Sequence, residues 1–156
     1  MKILVLTSVY KDEHFANRDG STNIVNSFVY EWIKQEHEVV VVHNSHCYPR
    51  IVHDIPHFIK KKIASKLGFG IADYDVVGKR VYTDRGAKVY RLPIKKYIPH
   101  TSPSSKVLIK QTELIEKNLA KDNFVPDAII GHWASPQMEI MTKLKKKYNC
   151  RTAVVL

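Results

Sequence analysis

Pro126-Asp127-Ala128-Ile129-Ile130-Gly131-His132-Trp133-Ala134-Ser135-Pro136 is the stretch whose reading decides the fold. Ala128, Ile129 and Ile130 form a short apolar run bounded by Pro126-Asp127, the pattern of a buried strand. The run stops at Gly131, which predicts His132 and Trp133 just beyond the strand's carboxyl end. Ser135 is suited to cap a following helix, with Pro136 in its first turn where the missing N–H does no harm. A titratable imidazole and a large aromatic thus sit on a strand-to-helix turn, and in open α/β sheets that edge is where ligands bind. The same two residues also fit a packed turn histidine and an aromatic lid on the core, and the stretch by itself leaves both readings open.

Working outward, Lys2-Ile3-Leu4-Val5-Leu6 is a branched apolar run suited to a strand covered on both faces. A polar loop, residues 7–20, closes on Asp19-Gly20-Ser21-Thr22. Ile24, Val25, Phe28, Val29, Trp32 and Ile33 then recur at helical spacing, and Val39-Val40-Val41-Val42 is a second buried strand. Strand, helix and strand make a βαβ unit with a right-handed crossover. Residues 44–54 read as a loop. Residues 55–67 read as a helix with Ile55, Phe58, Ile59 and Ile63 on one side. Lys62 and Lys66 fall in that apolar sector, so they must snorkel or the helix must lie at a wet surface.

Residues 80–83 and 88–92 predict a hairpin turning on Asp84-Arg85-Gly86, with the glycine in the left-handed position. Ser104 or Ser105 caps a helix carrying Val107, Leu108, Leu114, Ile115 and Leu119. After Pro136 a further helix buries Met138, Met141, Leu144 and Tyr148, and residues 152–156 form a last, covered strand. The predicted architecture is α/β: a doubly wound, mostly parallel, Rossmann-like sheet with helices on both faces and a small hairpin insertion. The common order for such sheets places the first strand beside the one that starts at Ala128.

With 156 residues the chain is long enough for one domain with its own core, and 44% apolar and 26% charged residues are ordinary for a soluble protein. No apolar run reaches membrane-spanning length, and the initial apolar run is too short for a signal peptide, so a cytoplasmic location is expected. Cys47 and Cys150 stand far apart in no metal spacing and are expected as free thiols. The net charge of +10 favours an anionic partner: a nucleotide, a lipid headgroup surface or nucleic acid. No nucleic-acid-binding signature accompanies it, so nucleic acid is not expected as a partner. The basic segment at residues 55–67 raises contact with an anionic membrane surface, peripheral at its inner face.

The first loop lies next to His132 in the expected strand order. A phosphate could use the N–H groups at the helix start, residues 20–23, where the helix dipole favours an anion. Neither a Gly-x-Gly-x-x-Gly fingerprint nor a Gly-Lys-Thr/Ser motif is present, which argues against a nicotinamide dehydrogenase and a nucleoside triphosphatase. His43, His46, Cys47, His53 and His57 are dense in candidate ligands but match no zinc spacing, so no metal is expected. Ser8, Ser21 and Ser135 lack a nucleophile frame.

The order of motifs resembles the N-terminal domain of the family 4 glycosyltransferases, which have a GT-B fold of two facing Rossmann-like domains. The matching pieces are residues 1–10, the helix after Gly20, His37-Glu38-Val39, Lys88-Val89-Tyr90-Arg91-Leu92-Pro93, and Pro126-Asp127 through His132-Trp133 to Pro136. The likeness spans nearly the whole chain. It implies a retaining hexosyltransferase, of a type used in polysaccharide biosynthesis, that moves a sugar from a nucleotide-sugar to a glycan or lipid-linked acceptor, with the nucleotide-sugar as co-substrate and no further cofactor. It implies one N-terminal acceptor-binding domain over residues 1–156, a donor-binding domain lying outside this chain, and a fragment inactive by itself. By position His132 resembles the histidine at the interdomain cleft, and the loop ending in Asp19, Gly20, Ser21 and Thr22 resembles the one that approaches the donor phosphates. The loop has one glycine where the family often has two. Glu36 stands where the family usually places a helix-ending glycine, a strain of roughly 1 kcal/mol if the left-handed conformation is kept. The alternative reading is a non-catalytic Rossmann- or flavodoxin-like module that binds an anionic ligand or a protein partner.

Overall fold

The computed structural model describes residues 1–12, 23–67, 74, 76–97, 101–133 and 135–155, and the side chains of residues 64, 66 and 67 fall outside the description. Strand β1 (Lys2–Thr7) leads through helix α1 (Ile24–Lys34) to β2 (Glu38–His43). Two short elements follow, β3 (His46–Cys47) and α2 (Arg50–His53), and then α3 (His57–Leu67). Strands β4 (Arg80–Asp84) and β5 (Ala87–Arg91) form a hairpin, followed by β6 (Ile94–Lys95) and the long helix α4 (Ser105–Lys121). The chain continues with β7 (Ala128–His132), α5 (Gln137–Tyr148) and β8 (Arg151–Val155).

The main sheet has the order β4-β5-β2-β1-β7-β8. All neighbours are parallel except the β4–β5 pair. Counting only the parallel strands, the order across the sheet is third, second, first, fourth, fifth, which is the doubly wound Rossmann arrangement. The order reverses between β1 and β7, as expected. The second strand of the hairpin is also the third parallel strand of the sheet, so β4 alone is the antiparallel addition at the edge.

Alternation along the strands sorts the core into two layers. Ile3, Val5, Val39, Val41 and Val89 pack with Val25 and Val29 of α1 on one face. Leu4, Leu6, Val40, Val42 and Ile129 pack with Leu108, Ile115, Leu119, Ile140 and Leu144 of α4 and α5 on the other. Both faces of β1 and β2 are covered, which is why these strands are continuous apolar runs rather than alternating ones.

The helix α1 ends in a two-bond wrap: His37 N–H donates to Trp32 O at 3.0 Å and Glu36 N–H to Ile33 O at 2.9 Å. This Schellman geometry requires a left-handed residue at Glu36, whose φ is 61°. A Cβ is strained there. The Glu36→Gly protein is therefore expected to be more stable by about 0.5–1 kcal/mol, the relief of strain being partly offset by glycine's greater freedom when unfolded. Urea unfolding checks this, and an unchanged or lower midpoint would contradict it. The hairpin turn is tighter than the sequence predicts. Two residues connect the strands, Arg85 at φ 46° and Gly86 at φ 96°, the double positive φ of a type I′ turn.

Several expectations are corrected. The segment read as a loop after Val42 contains β3 and α2, and β3 pairs in parallel with β6 as a small second sheet. These elements are too short to leave a periodic signature. Ile24, Phe28 and Met138 are exposed rather than buried, because their helices turn Val25, Val29, Ile140 and Met141 inward instead. Strand β8 lies at the sheet edge with Val154 and Val155 exposed, so its apolar composition does not correspond to a covered strand. Neither Ser104 nor Ser135 makes a side-chain cap. Ser135 Oγ instead donates to Glu139 Oε1 at 3.0 Å and lies 3.1 Å from Ser102 Oγ.

Candidate functional site

The carboxyl edge of the sheet carries one row of polar residues in register. Arg91 of β5 is paired with His43 of β2, His43 with Thr7 of β1, and Thr7 with His132 of β7. Residues paired in register on parallel strands point to the same face, and in β1 and β2 this is the face that Ile3, Val5, Val39 and Val41 turn toward α1. The three-strand apolar core thus ends in an imidazole, a hydroxyl and a second imidazole at the point where the strand order reverses.

His132 is the last residue of β7, at the strand's carboxyl end, and is half-buried. Its Nδ1 is enclosed without a hydrogen-bond partner among the described residues, and burial pushes its pKa below the ordinary histidine value. The ring is therefore neutral near neutral pH, the state in which an imidazole can accept a proton or a hydrogen bond.

Trp133 follows at φ 72°, a left-handed conformation rare for a bulky side chain. Its N–H is held by Val155 O at 2.9 Å. That turn swings the indole outward to 58% exposure, with its ring 5.9 Å from that of His132 in an edge-on arrangement. Trp133 is thus not a lid on the core. A bulky residue held in a sparsely populated conformation beside a strand-end histidine is the kind of strain that clusters at ligand sites.

Beneath this edge runs a chain of amides that sequence reasoning did not find. Gln111 Nε2 donates to Asn44 Oδ1 at 2.9 Å and to Leu92 O at 3.1 Å. Asn44 Nδ2 donates to Gln137 Oε1 at 2.7 Å, and Gln137 Nε2 donates to Ser8 Oγ at 2.6 Å. All three amide residues are buried. The chain connects the end of β1, the end of β2, the middle of α4 and the first turn of α5. Buried amides with every hydrogen bond aimed at another fixed group hold a unique geometry. The only hint in the sequence is that Asn44 and Gln137 directly adjoin strand or helix boundaries.

His43 lies against Ser8, its Nε2 3.1 Å from Ser8 O. Asp12 joins Arg80 at 3.1 Å and Arg91 at 3.7 Å, and Arg91 Nη1 also donates to Val76 O. Burial above all, then the charge of Arg91, depresses the His43 pKa from 6.5 to about 3, and burial depresses that of His46 to about 4. In the unfolded chain these imidazoles take up protons near 6.5, while in the folded chain they resist. The unfolded state therefore binds more protons across the window from about 6.5 to about 3. Stability is full above that window and is lost as pH falls through it. Each such group contributes a slope of about 1.4 kcal/mol per pH unit. His43→Gln is expected to flatten the wild-type slope by about one proton. Urea titrations across this range check it, and equal slopes in both proteins would contradict it.

Of the other predicted site residues, Asp19, Gly20, Ser21 and Thr22 lie outside the described residues. The cluster of histidines after β2 does not come together. His43 faces Ser8, while His53 Nε2 accepts the Tyr48 N–H at 2.9 Å. Among the described residues no three of His, Cys, Asp and Glu gather in metal-binding geometry. At the opposite, amino edge of the sheet a cleft of about 330 Å³ is lined by Glu38, Val39, Val40, Gly86, Lys88, Asp122 and Phe124. Its charged groups are already engaged, Lys88 with Asp122 at 2.5 Å, and it is remote from His132. Among the described residues no helix is long and apolar enough to cross a membrane.

The fold is a Rossmann-like α/β domain whose strand order reverses beside His132. No known protein family's sequence profile matches the chain, and no curated protein matches it in sequence. Among solved structures it is similar to the C-terminal domain of a hydrogenase from Pyrococcus furiosus, with 12% identity and a TM-score of 0.47, over 99% of this chain and 90% of that one. A likeness at that level carries nothing about the chemistry of this chain.

Proposed function

We propose that the chain is the acceptor-binding half of a retaining glycosyltransferase, acting with a donor-binding domain that holds a nucleotide-sugar. The observation that carries this reading is His132: a neutral, half-buried imidazole at the switch point, flanked by an exposed, strained Trp133. The motif order described above adds to it. A glycan or lipid-linked acceptor lies over the carboxyl edge with its hydroxyl near His132. The hydroxyl oxygen bonds to the anomeric carbon as the bond to the leaving nucleoside diphosphate breaks. His132 accepts a hydrogen bond from that hydroxyl and orients it, or receives its proton. Closure of the second domain expels water and completes the site.

The experiment is a turnover assay of the full-length protein against a panel of nucleotide-sugars. Release of nucleotide that depends on added acceptor supports the reading. Absence of turnover with every donor, combined with binding of an anionic ligand, favours the second reading of a non-catalytic module.

A further inference from the structure

We infer that the outer face of α2 and α3 docks on an anionic lipid bilayer, with Ile51 and Phe58 entering the headgroup layer. The inference rests on how these helices are turned and stands independently of the glycosyl-transfer reading. The sequence groups Ile55, Phe58, Ile59 and Ile63 on one side of residues 55–67, and in the structure Phe58 is 73% exposed while Lys60 is only 6% exposed. Ile51 on α2 is 79% exposed. Two of the most solvent-facing apolar side chains in the described structure therefore project from neighbouring short helices.

Among the described residues, those beside Phe58 on α3 are cationic. Lys61 and Lys62 are exposed and lie three and four residues after Phe58, the spacing that shares one helical face. Helix α3 carries no aspartate or glutamate at all. On α2, Arg50 pairs with Asp54 at 3.4 Å and its guanidinium lies 5.6 Å from the centre of the Tyr74 ring. Asp54 is the acidic group nearest in sequence to this face, and it is already matched by Arg50.

Isolated projecting apolar side chains flanked by lysines suit the boundary between headgroups and acyl chains, where lysines meet lipid phosphates and the apolar side chains leave water. A nucleic-acid partner would use the lysines but has no place for Ile51 and Phe58. A protein partner would call for a flatter, contiguous apolar patch.

The test is co-sedimentation of the full-length protein with vesicles of phosphatidylcholine alone and of phosphatidylcholine mixed with phosphatidylglycerol, at low and high salt. Binding is expected to the mixed vesicles and to weaken with salt. Lys61→Glu/Lys62→Glu is expected to lower partitioning about tenfold or more, and Ile51→Ser/Phe58→Ser about tenfold. These side chains are already exposed, so folding is unaffected, and circular dichroism verifies it. Lys110→Glu/Lys146→Glu makes the same charge change on the exposed surfaces of α4 and α5 and is expected to retain binding. No binding by the wild-type protein, equal binding to neutral vesicles, or an equal loss in the Lys110/Lys146 pair would overturn the inference. So would undiminished binding by either variant on α2 and α3. Binding of the wild-type protein to a protein or a nucleic acid in place of the vesicles would overturn it as well.

Discussion

On the proposed glycosyl-transfer reading, His132→Ala is expected to lower acceptor-dependent nucleotide release by the full-length protein about 10²- to 10⁴-fold, the range for loss of a group that orients or deprotonates the attacking hydroxyl. The fold will survive, because His132 is only half-buried and its Nδ1 makes no hydrogen bond among the described residues. Equal melting temperatures for the two proteins would establish that. The pH profile separates a chemical role from a packing role. Burial holds the imidazole below its ordinary pKa, so the acid limb of wild-type kcat/KM is expected at a pH lower than an ordinary histidine would give, and it will vanish in the variant. His132→Gln keeps a hydrogen-bonding group without a titrating one. Partial activity in that protein would favour orientation over proton transfer. Equal activity in wild type and His132→Ala would make the histidine structural and move the chemistry to the other half of the enzyme.

The second large effect concerns stability. A single oxygen, Asp84 Oδ2, accepts three hydrogen bonds: from Tyr10 OH at 2.9 Å, Tyr30 OH at 2.8 Å and Asn26 Nδ2 at 3.2 Å. The Tyr10 side chain is fully buried, and burial followed by the Asp84 charge holds its hydroxyl pKa far above the ordinary value, so it remains a donor. This carboxylate ties the segment after β1, helix α1 and the β4–β5 hairpin to one point. Asp84→Ala is expected to cost about 3 kcal/mol or more, since bonds to a charged acceptor are lost and a buried hydroxyl is stranded. Adding Tyr10→Phe to that variant removes the stranded group and is expected to restore about 1 kcal/mol. Chemical denaturation of the single and double variants checks both. A loss below about 1 kcal/mol would mean that water replaces the carboxylate and that the node is not structural.

Much of the framework was legible because it rests on local pattern. The branched apolar runs of β1 and β2 announce strands covered on both faces, and the spacing of Val25, Val29, Leu108, Ile115 and Leu119 announces the helices that cover them. The strand order followed from general rules once those elements were placed. What stayed hidden depends on contacts between distant positions or on a single backbone torsion. Nothing near Gln111, Asn44 or Gln137 marks them as partners, because the topology alone brings them together. Asp84 reads as an ordinary turn residue until Tyr10 and Tyr30 arrive from elsewhere in the chain. The outward swing of Trp133 comes from its positive φ, which a tryptophan gives no reason to expect. His132 stands out because its chemistry and its place at a strand end are both visible in one short stretch, whereas its protonation depends on burial that no stretch reveals.

The buried amides linking Ser8, Gln137, Asn44 and Gln111 act as a brace beneath the carboxyl edge of the sheet. They fasten the segments just after β1 and β2 to α4 and to the first turn of α5, so the loops at this edge hold set positions relative to the helices behind the sheet. On the proposed reading, an acceptor docked at this edge meets a floor that does not shift to suit it. Choice among acceptors would then rest with the loops above that floor, which can change in sequence while the braced edge beneath stays as it is.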